Sequence, residues 1–450
     1  MDISIKDGTI VTANDMFRAD IGIRNGKIAS IGHDITGMEN IDASGKYILP
    51  GVIEIQSHFE AAFGNTRSID NFFKGTQTAA CGGVTTIFDT VIPKSDESLL
   101  EAIKNRRQLL DAQAAIDYSL HLCLPEAQEN FLSEIPQVLN EGLPSFEAFL
   151  CSHAAELVHQ DSSLLELMET ISKAGGLLMV HCGNQALLQQ ASQRYPLEDP
   201  LAMTHYPQLC TPQSEAEAVY RLMMLAHSTP CTLHLNHLST RESLTQALQH
   251  HPLQSRIYTG TDLHYLTHNE NVYKQPDARN YTVLPPLRSQ ADQTCLWKGI
   301  QAGTIQTLSS NHWPFTREQK KLGEDLASIP AGFANLELLL PMLYHQGVRS
   351  RHIDLMQLVA VLSTNPARIF GLSHKGSIAV GKDADLVIFN PLLKKTLSSS
   401  NLHSESDFCL YEGQELQGYP EMTLSRGRIV CDNGKFTGEQ GAGQFIARSI

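Results

Sequence analysis

The sequence has no C-x-x-C pair among its nine cysteines, no uncharged apolar run of about 18 residues, no long basic stretch and no internal repeat. An odd set of scattered thiols (Cys81, Cys123, Cys151, Cys182, Cys210, Cys231, Cys295, Cys409, Cys431) excludes a disulfide frame or a zinc knuckle, and fits reduced core fillers. The missing apolar run excludes a membrane-spanning helix. MDISIKDGTIVTAND opens without the basic-then-apolar order of a secretion signal, so a cytoplasmic location is expected. A net charge of −14 with no basic cluster to offset it argues against nucleic acid and anionic membrane as main partners.

What is present is an ordinary globular composition of 450 residues, 42% hydrophobic and 18% charged, enough for one large barrel or two domains. The first fifty residues give short alternating stretches, ISIKDGTIV and ADIGIRNGKIASIG, broken by Asp-Gly and Asn-Gly pairs that favour tight hairpins. From Val52 the texture changes to apolar strands (VTTIFDTVI, LLMVHCG, CTLHLNHLS) alternating with helical stretches (DESLLEAIKNRRQLLDAQAA, SLLELMETISKAG). Repeated strand-then-helix units predict a parallel sheet, and their number predicts a (β/α)₈ barrel. After the helical LMQLVAVLSTNPARIFG, the segments GSIAVGKDADLVIFNP and MTLSRGRIVCDNGKFTG return to β texture. The expectation is an α/β chain whose residues 1–52 and 375–450 form a small β-sandwich around a barrel of residues 53–374. The Ser-rich 396–401 reads as a loop.

In a barrel of this kind, chemistry sits where strands finish and loops begin. His58 follows an apolar strand, with Gln56 two residues earlier on the same side. His181 ends LLMV, His237 follows LHLN, and His312 follows TIQTLSSN directly after Asn311. Each histidine alone is more often a hydrogen-bonded polar residue than a ligand. Four at the ends of four strands are expected to converge on one cavity and to suit zinc or a similar divalent ion.

Several further pieces, KYILPGVIEIQSHFE, FFKGTQTAACGGVTT, SFEAFL, MVHCGN, LPPLR, NHWPF and GEQGAGQFIAR, together with the strand texture, resemble the hydantoinase and dihydropyrimidinase branch of the cyclic amidohydrolases nearly end to end. The resemblance implies an amidohydrolase-type barrel with a terminal β-sandwich, a homotetramer, and hydrolysis of a cyclic amide or imide by two metal ions. In active relatives the ions share a carbamylated lysine, and an aspartate shuttles the proton. Carried across, His58, His181 and His237 are present, but Gln56 replaces a histidine, Glu147 the lysine and Asn311 the aspartate. Ser152 stands where a tyrosine would steady the oxyanion, Leu284 replaces a substrate-binding serine, and Ala331 replaces an asparagine. An amide cannot act as general base, and one lost oxyanion donor costs about 10²- to 10³-fold in rate.

Three functional expectations follow. The first is a divergent relative without normal two-metal hydrolysis, like the non-catalytic collapsin response mediator proteins, which it resembles in the glutamine for the first histidine and the lost aspartate. The second is a one-metal hydrolase of a C–N bond, with Glu147, His181 and His237 as a His₂Glu zinc set and His58 beside it; His58, His312, His264 or Cys182 would then move protons. Cys182 is more simply a buried filler. The third is a scaffold subunit in a hetero-oligomer with an active homologue.

Overall fold

The computed structural model describes residues 1–94, 97–126, 129–199, 201–254 and 256–450. Eight parallel strands form the central sheet: β1 Val52–Ser57, β2 Val84–Val91, β3 Asp117–Cys123, β4 Ser145–Phe149, β5 Leu177–His181, β6 Thr232–Asn236, β7 Ile257–Asp262 and β8 Thr307–Ser309. They pair in sequence order, β1 with β2 through to β7 with β8. Past the end of β8 the chain meets β1 again. His58 N–H donates to His312 O at 3.0 Å and His312 N–H to Gln56 O at 3.3 Å, which closes the barrel. Strands buried on both faces explain why the sequence shows apolar runs here rather than alternation.

The helices between strands start where side chains can cap them. Ser98 and Glu101 form a capping box at Leu99–Gln113, so that helix begins inside the expected stretch. Thr211 caps Pro212–Ser228, with proline in the first turn where its missing N–H costs nothing. The expected long helix in LMQLVAVLSTNPARIFG is instead two α segments, Leu355–Val359 and Asn365–Ile369, joined by a π segment at Ala360–Thr364. Pro366 has no N–H for the preceding turn, and the wider turn accommodates that loss.

Strands from the two ends of the chain pair with each other. Tyr47–Pro50 lies antiparallel to Leu386–Thr396 inside a seven-stranded sheet, and a four-stranded sheet from the first 42 residues covers it. Isoleucines fill the space between, among them Ile5, Ile10, Ile21, Ile23, Ile41, Ile48 and Ile388. The Asn-Gly turns follow the sequence signals: Asn25-Gly26 and Asn433-Gly434 both take left-handed φ (53° and 74°; 49° and 76°) and join neighbouring antiparallel strands. Asp7-Gly8 does not make the expected hairpin; it carries the chain from Ile3–Lys6 in the four-stranded sheet to Thr9–Val11 in the seven-stranded one. None of the nine cysteines is in a disulfide, and eight are buried.

Beyond Phe436 the tail leaves the sheet and runs to the start of β3. Tyr118 N–H donates to Gln444 O at 2.9 Å and Ile446 N–H to Tyr118 O at 2.8 Å. The tail ends with Arg448 buried at the floor of the barrel. Its guanidinium donates to Ser119 Oγ (2.7 Å), Ser145 Oγ (2.8 Å), Phe370 O (3.2 Å) and Leu120 O (2.5 Å), and lies 4.6 Å from the Phe88 ring centroid. All four oxygens belong to uncharged groups, and burial pulls the guanidinium down to about 9. Replacing Arg448 with alanine strips donors from four oxygens at once, so we expect a loss of about 3 kcal/mol, read as a lower urea midpoint at unchanged slope. An unchanged midpoint would show that the tail is dispensable to the barrel.

Candidate active site

Period-two alternation turns Gln56 on β1 and Glu147 on β4 into the barrel, while His181, Asn236 and Asp262 are the last residues of β5, β6 and β7. Gln56 and Glu147 are each 1% exposed. Gln56 Nε2 donates to Glu147 Oε1 at 3.0 Å, and Asn236 Nδ2 donates to the same oxygen at 3.0 Å. His234 Nδ1 meets Asn236 Oδ1 at 2.5 Å, which fixes the orientation of that amide. The other two oxygens of this trio, Glu147 Oε2 and Gln56 Oε1, are buried without a hydrogen-bond partner among the described residues.

Asp262 forms a second node. His237 Nδ1 lies 2.7 Å from Asp262 Oδ2, Ser309 Oγ donates to Oδ1 at 2.7 Å, and Asn311 Nδ2 donates to Oδ2 at 3.4 Å. An ionised carboxylate only accepts, so His237 Nδ1 carries a proton and its Nε2 is the nitrogen left for other contacts. The His237 ring lies 5.6 Å from that of His181. His237 and Asn311 both take left-handed φ, 56° and 48°. Asparagine and histidine enter that region more often than most residues, yet it is sparsely populated and the backbone there must be held. The holding comes from the following loop, where Ser239 N–H donates to buried Glu215 at 2.9 Å, and Arg288 of the LPPLR segment reaches Glu215 Oε2 at 3.1 Å and Ser239 Oγ at 2.8 Å.

Burial dominates the electrostatics. It pushes Glu54 up to about 7 and raises Glu147, the latter against the pull of His237 and its two amide donors. It drives His58 and His181 down to about 3, helped in each case by the positive charge of His237. On His237 itself burial acts downward, but the Asp262 and Glu147 carboxylates outweigh it and the net shift is upward. Asp262 is lowered because His237 outweighs its burial. The site thus balances its carboxylates with one held proton and three amides.

The metal implied by the family finds suitable donors here and unsuitable spacing. Neutral His58 and His181, an orphan oxygen on Glu147, and a His237 ring oriented by a carboxylate are the right chemical types. One ion with bonds of about 2.0–2.2 Å requires ligand atoms within about 4.4 Å of each other. Among the described residues, the only three His, Cys, Asp or Glu ligand atoms lying within 4.8 Å of one another are those of Asp117, Asp383 and Asp385. That cluster already holds the Lys375 ammonium, at 2.8, 3.3 and 2.5 Å. The side chains at Glu147, His181 and His237 do not fit an ion in this arrangement.

The other expected residues divide. His58 joins the site, its ring 4.7 Å from Trp313 and acted on by the charge of His237. His312 does not: its Nε2 pairs with buried Asp70 at 2.9 Å and its Nδ1 accepts from Leu336 N–H at 3.4 Å, so three of the four expected histidines come together rather than four. The closing bridge to β1 turns that side chain outward from the site. Ser152 Oγ accepts from Ala154 N–H at 3.1 Å, while Gln185 bonds the Ser152 backbone. His264 is buried, with its Nε2 at 3.6 Å from Asp262 and neither ring nitrogen hydrogen-bonded. Cys182 is a core residue. Leu284 is half-buried, and Ala331 is buried in the loop beside it. Asp262, Asn236 and Glu54 were not foreseen; Asp262 and Asn236 end their strands in TGTDLHYL and LHLNH, the same positional signal that singled out the histidines, whereas Glu54 lies mid-strand in VIEIQ.

A pH dependence follows from these imidazoles, His181 buried and His58 half-buried. Between the ordinary 6.5 and about 3, His58 and His181 take up protons only when the chain unfolds, so stability falls as pH drops through that window. The slope is about 1.4 kcal/mol per pH unit for each group. We expect the melting temperature to drop between pH 6.5 and 4, and a His58→Gln/His181→Gln variant to lose less over the same interval; parallel curves would contradict these shifts.

Comparison with known proteins agrees with this architecture. The amidohydrolase family model matches residues 47–430. The D-hydantoinase of Ralstonia pickettii is 34% identical over 454 aligned positions, covering 100% of this chain and 99% of that protein. The crystal structure of dihydropyrimidinase from Brevibacillus agri superposes with a TM-score of 0.95 at 34% identity, covering 100% of this chain and 99% of the other. The L-hydantoinase of Arthrobacter aurescens superposes at 0.91 with 28% identity, covering 99% and 100%. The chain therefore belongs to the amidohydrolase family, among the hydantoinases and dihydropyrimidinases.

Proposed function

We propose that this protein is a hydantoinase-like family member that receives a small nitrogen compound at the barrel mouth and does not carry out two-metal cyclic-amide hydrolysis. The observation that carries the reading is Glu147 Oε1, which accepts hydrogen bonds at 3.0 Å from both Gln56 and Asn236 where a two-metal site would need ion bonds. Amide hydrogens have taken over the compensation of that carboxylate. Asn311 cannot exchange a proton in the working range, and its amide is turned to Asp262. Ser152 is turned to its own loop, so neither the base nor the oxyanion donor of the family reaction is available.

A second reading keeps one ion on Glu147, His181 and His237. Two features favour it: the orphan Glu147 Oε2, and the Asp262 contact that orients His237 as carboxylates orient metal-bound imidazoles. It requires these side chains to close up from their present spacing. The family resemblance also makes a tetramer the expected assembly; a hetero-oligomer with an active homologue is the alternative.

Relatives named D-hydantoinase and dihydropyrimidinase set the compounds to assay first. With zinc, manganese and iron in the growth medium, we expect the untagged protein to hold no stoichiometric ion. We expect it to turn over hydantoin and dihydrouracil at least about 10³-fold more slowly than an active relative. One zinc per chain, lost in His181→Ala, would favour the second reading. Two ions with turnover at the relatives' level would reject both.

A further inference from the structure

We propose that the site at Gln56, Glu147 and His181 takes an organic cation carrying two or more N–H groups, of the amidinium or guanidinium type, in the place of a metal ion. This rests on the reading above, that Glu147 is not a ligand of a two-metal centre.

The first argument is hydrogen-bond demand. Glu147 Oε2 and Gln56 Oε1 are acceptors on two side chains already joined by one hydrogen bond, and both are buried without a donor among the described residues. A buried unpaired acceptor is costly, and two beside each other ask for a ligand that brings donors. The second is charge. The direct hydrogen-bond donors to Glu147 are two neutral amides, and the His237 proton that acts on it from nearby is bonded to Asp262 instead. A buried carboxylate whose own donors are all neutral gains from a charge-assisted N–H bond, which is about twice as strong as a neutral one. The third is size. A single metal ion requires ligand atoms closer together than this site brings them. An amidinium holds each acceptor about 2.9 Å from a separate nitrogen and so spans a wider gap. Aromatic rings pack on the site's histidines: Phe149, 5.3 Å from the His181 ring, and Trp313, 4.7 Å from the His58 ring.

The test compares acetamidinium with its neutral isostere acetamide, on full-length protein stripped with EDTA and checked for metal content. Binding is followed by ligand-observed NMR and thermal shift. We expect acetamidinium to bind at least about 30-fold more tightly than acetamide, and Glu147→Gln to weaken it at least about 10-fold. Where Glu147→Gln does not fold, Glu147→Asp, which keeps the charge but draws the carboxylate back by one methylene, gives the same direction. Equal affinity for the two probes, no binding of either, or acetamidinium affinity unchanged in the folded variants would overturn the inference. Those results leave the absence of two-metal hydrolysis untouched, because metal content and turnover are measured on separate samples.

Discussion

A carboxylate placed at the dry end of a barrel must be met by positive charge or by hydrogen bonds, since leaving it bare costs several kcal/mol. Glu147 and Asp262 impose that requirement here, and most of the site is arranged around them. Gln56 and Asn236 share one oxygen of Glu147; His237, Ser309 and Asn311 share Asp262. In a metal enzyme of this fold ions would supply the positive charge. In this chain protons on nitrogen do. The carboxamides at 56, 236 and 311 therefore read as one coordinated solution rather than as separate losses.

That solution depends on supports farther out. His237 can face Asp262 only because its left-handed backbone is held by a loop fastened to the buried Glu215–Arg288 pair. Asn236 can face Glu147 because His234 orients it and is itself held by Thr307 Oγ1 at 2.8 Å. At the opposite end, Arg448 gathers uncharged oxygens from β3, β4 and the segment after the last barrel helix. The mouth is set by polar pairs and the floor by one tail residue, with apolar strands between.

Much of this was legible in the sequence. Apolar runs with intervening helical periodicity gave the barrel, and Asn-Gly pairs gave the hairpins. The strand ends gave Gln56, His58, His181, His237 and Asn311, and the family resemblance added Glu147; these lie together. What was not legible followed from three-dimensional choices among similar residues. His312 looks like the other histidines in one dimension, and only the closure of β8 on β1 turns it to Asp70. Asp262 was passed over for the histidine two residues later, because a carboxylate becomes conspicuous only once a donor is seen to face it. The break in the 355–369 helix lies ahead of Pro366, whose missing N–H is plain in the sequence but does not fix whether the chain kinks, stops or widens into a π turn.

The central claim is that hydrogens, and not a metal ion, compensate Glu147. Diffraction from crystals soaked in zinc, recorded just above the zinc absorption edge, addresses it directly. The account predicts no anomalous peak at the site and amide contacts from Gln56 and Asn236 to Glu147 near their 3.0 Å values. A strong peak about 2.1 Å from His181 and His237 nitrogens, with Glu147 swung onto it and its amide partners released, would contradict it.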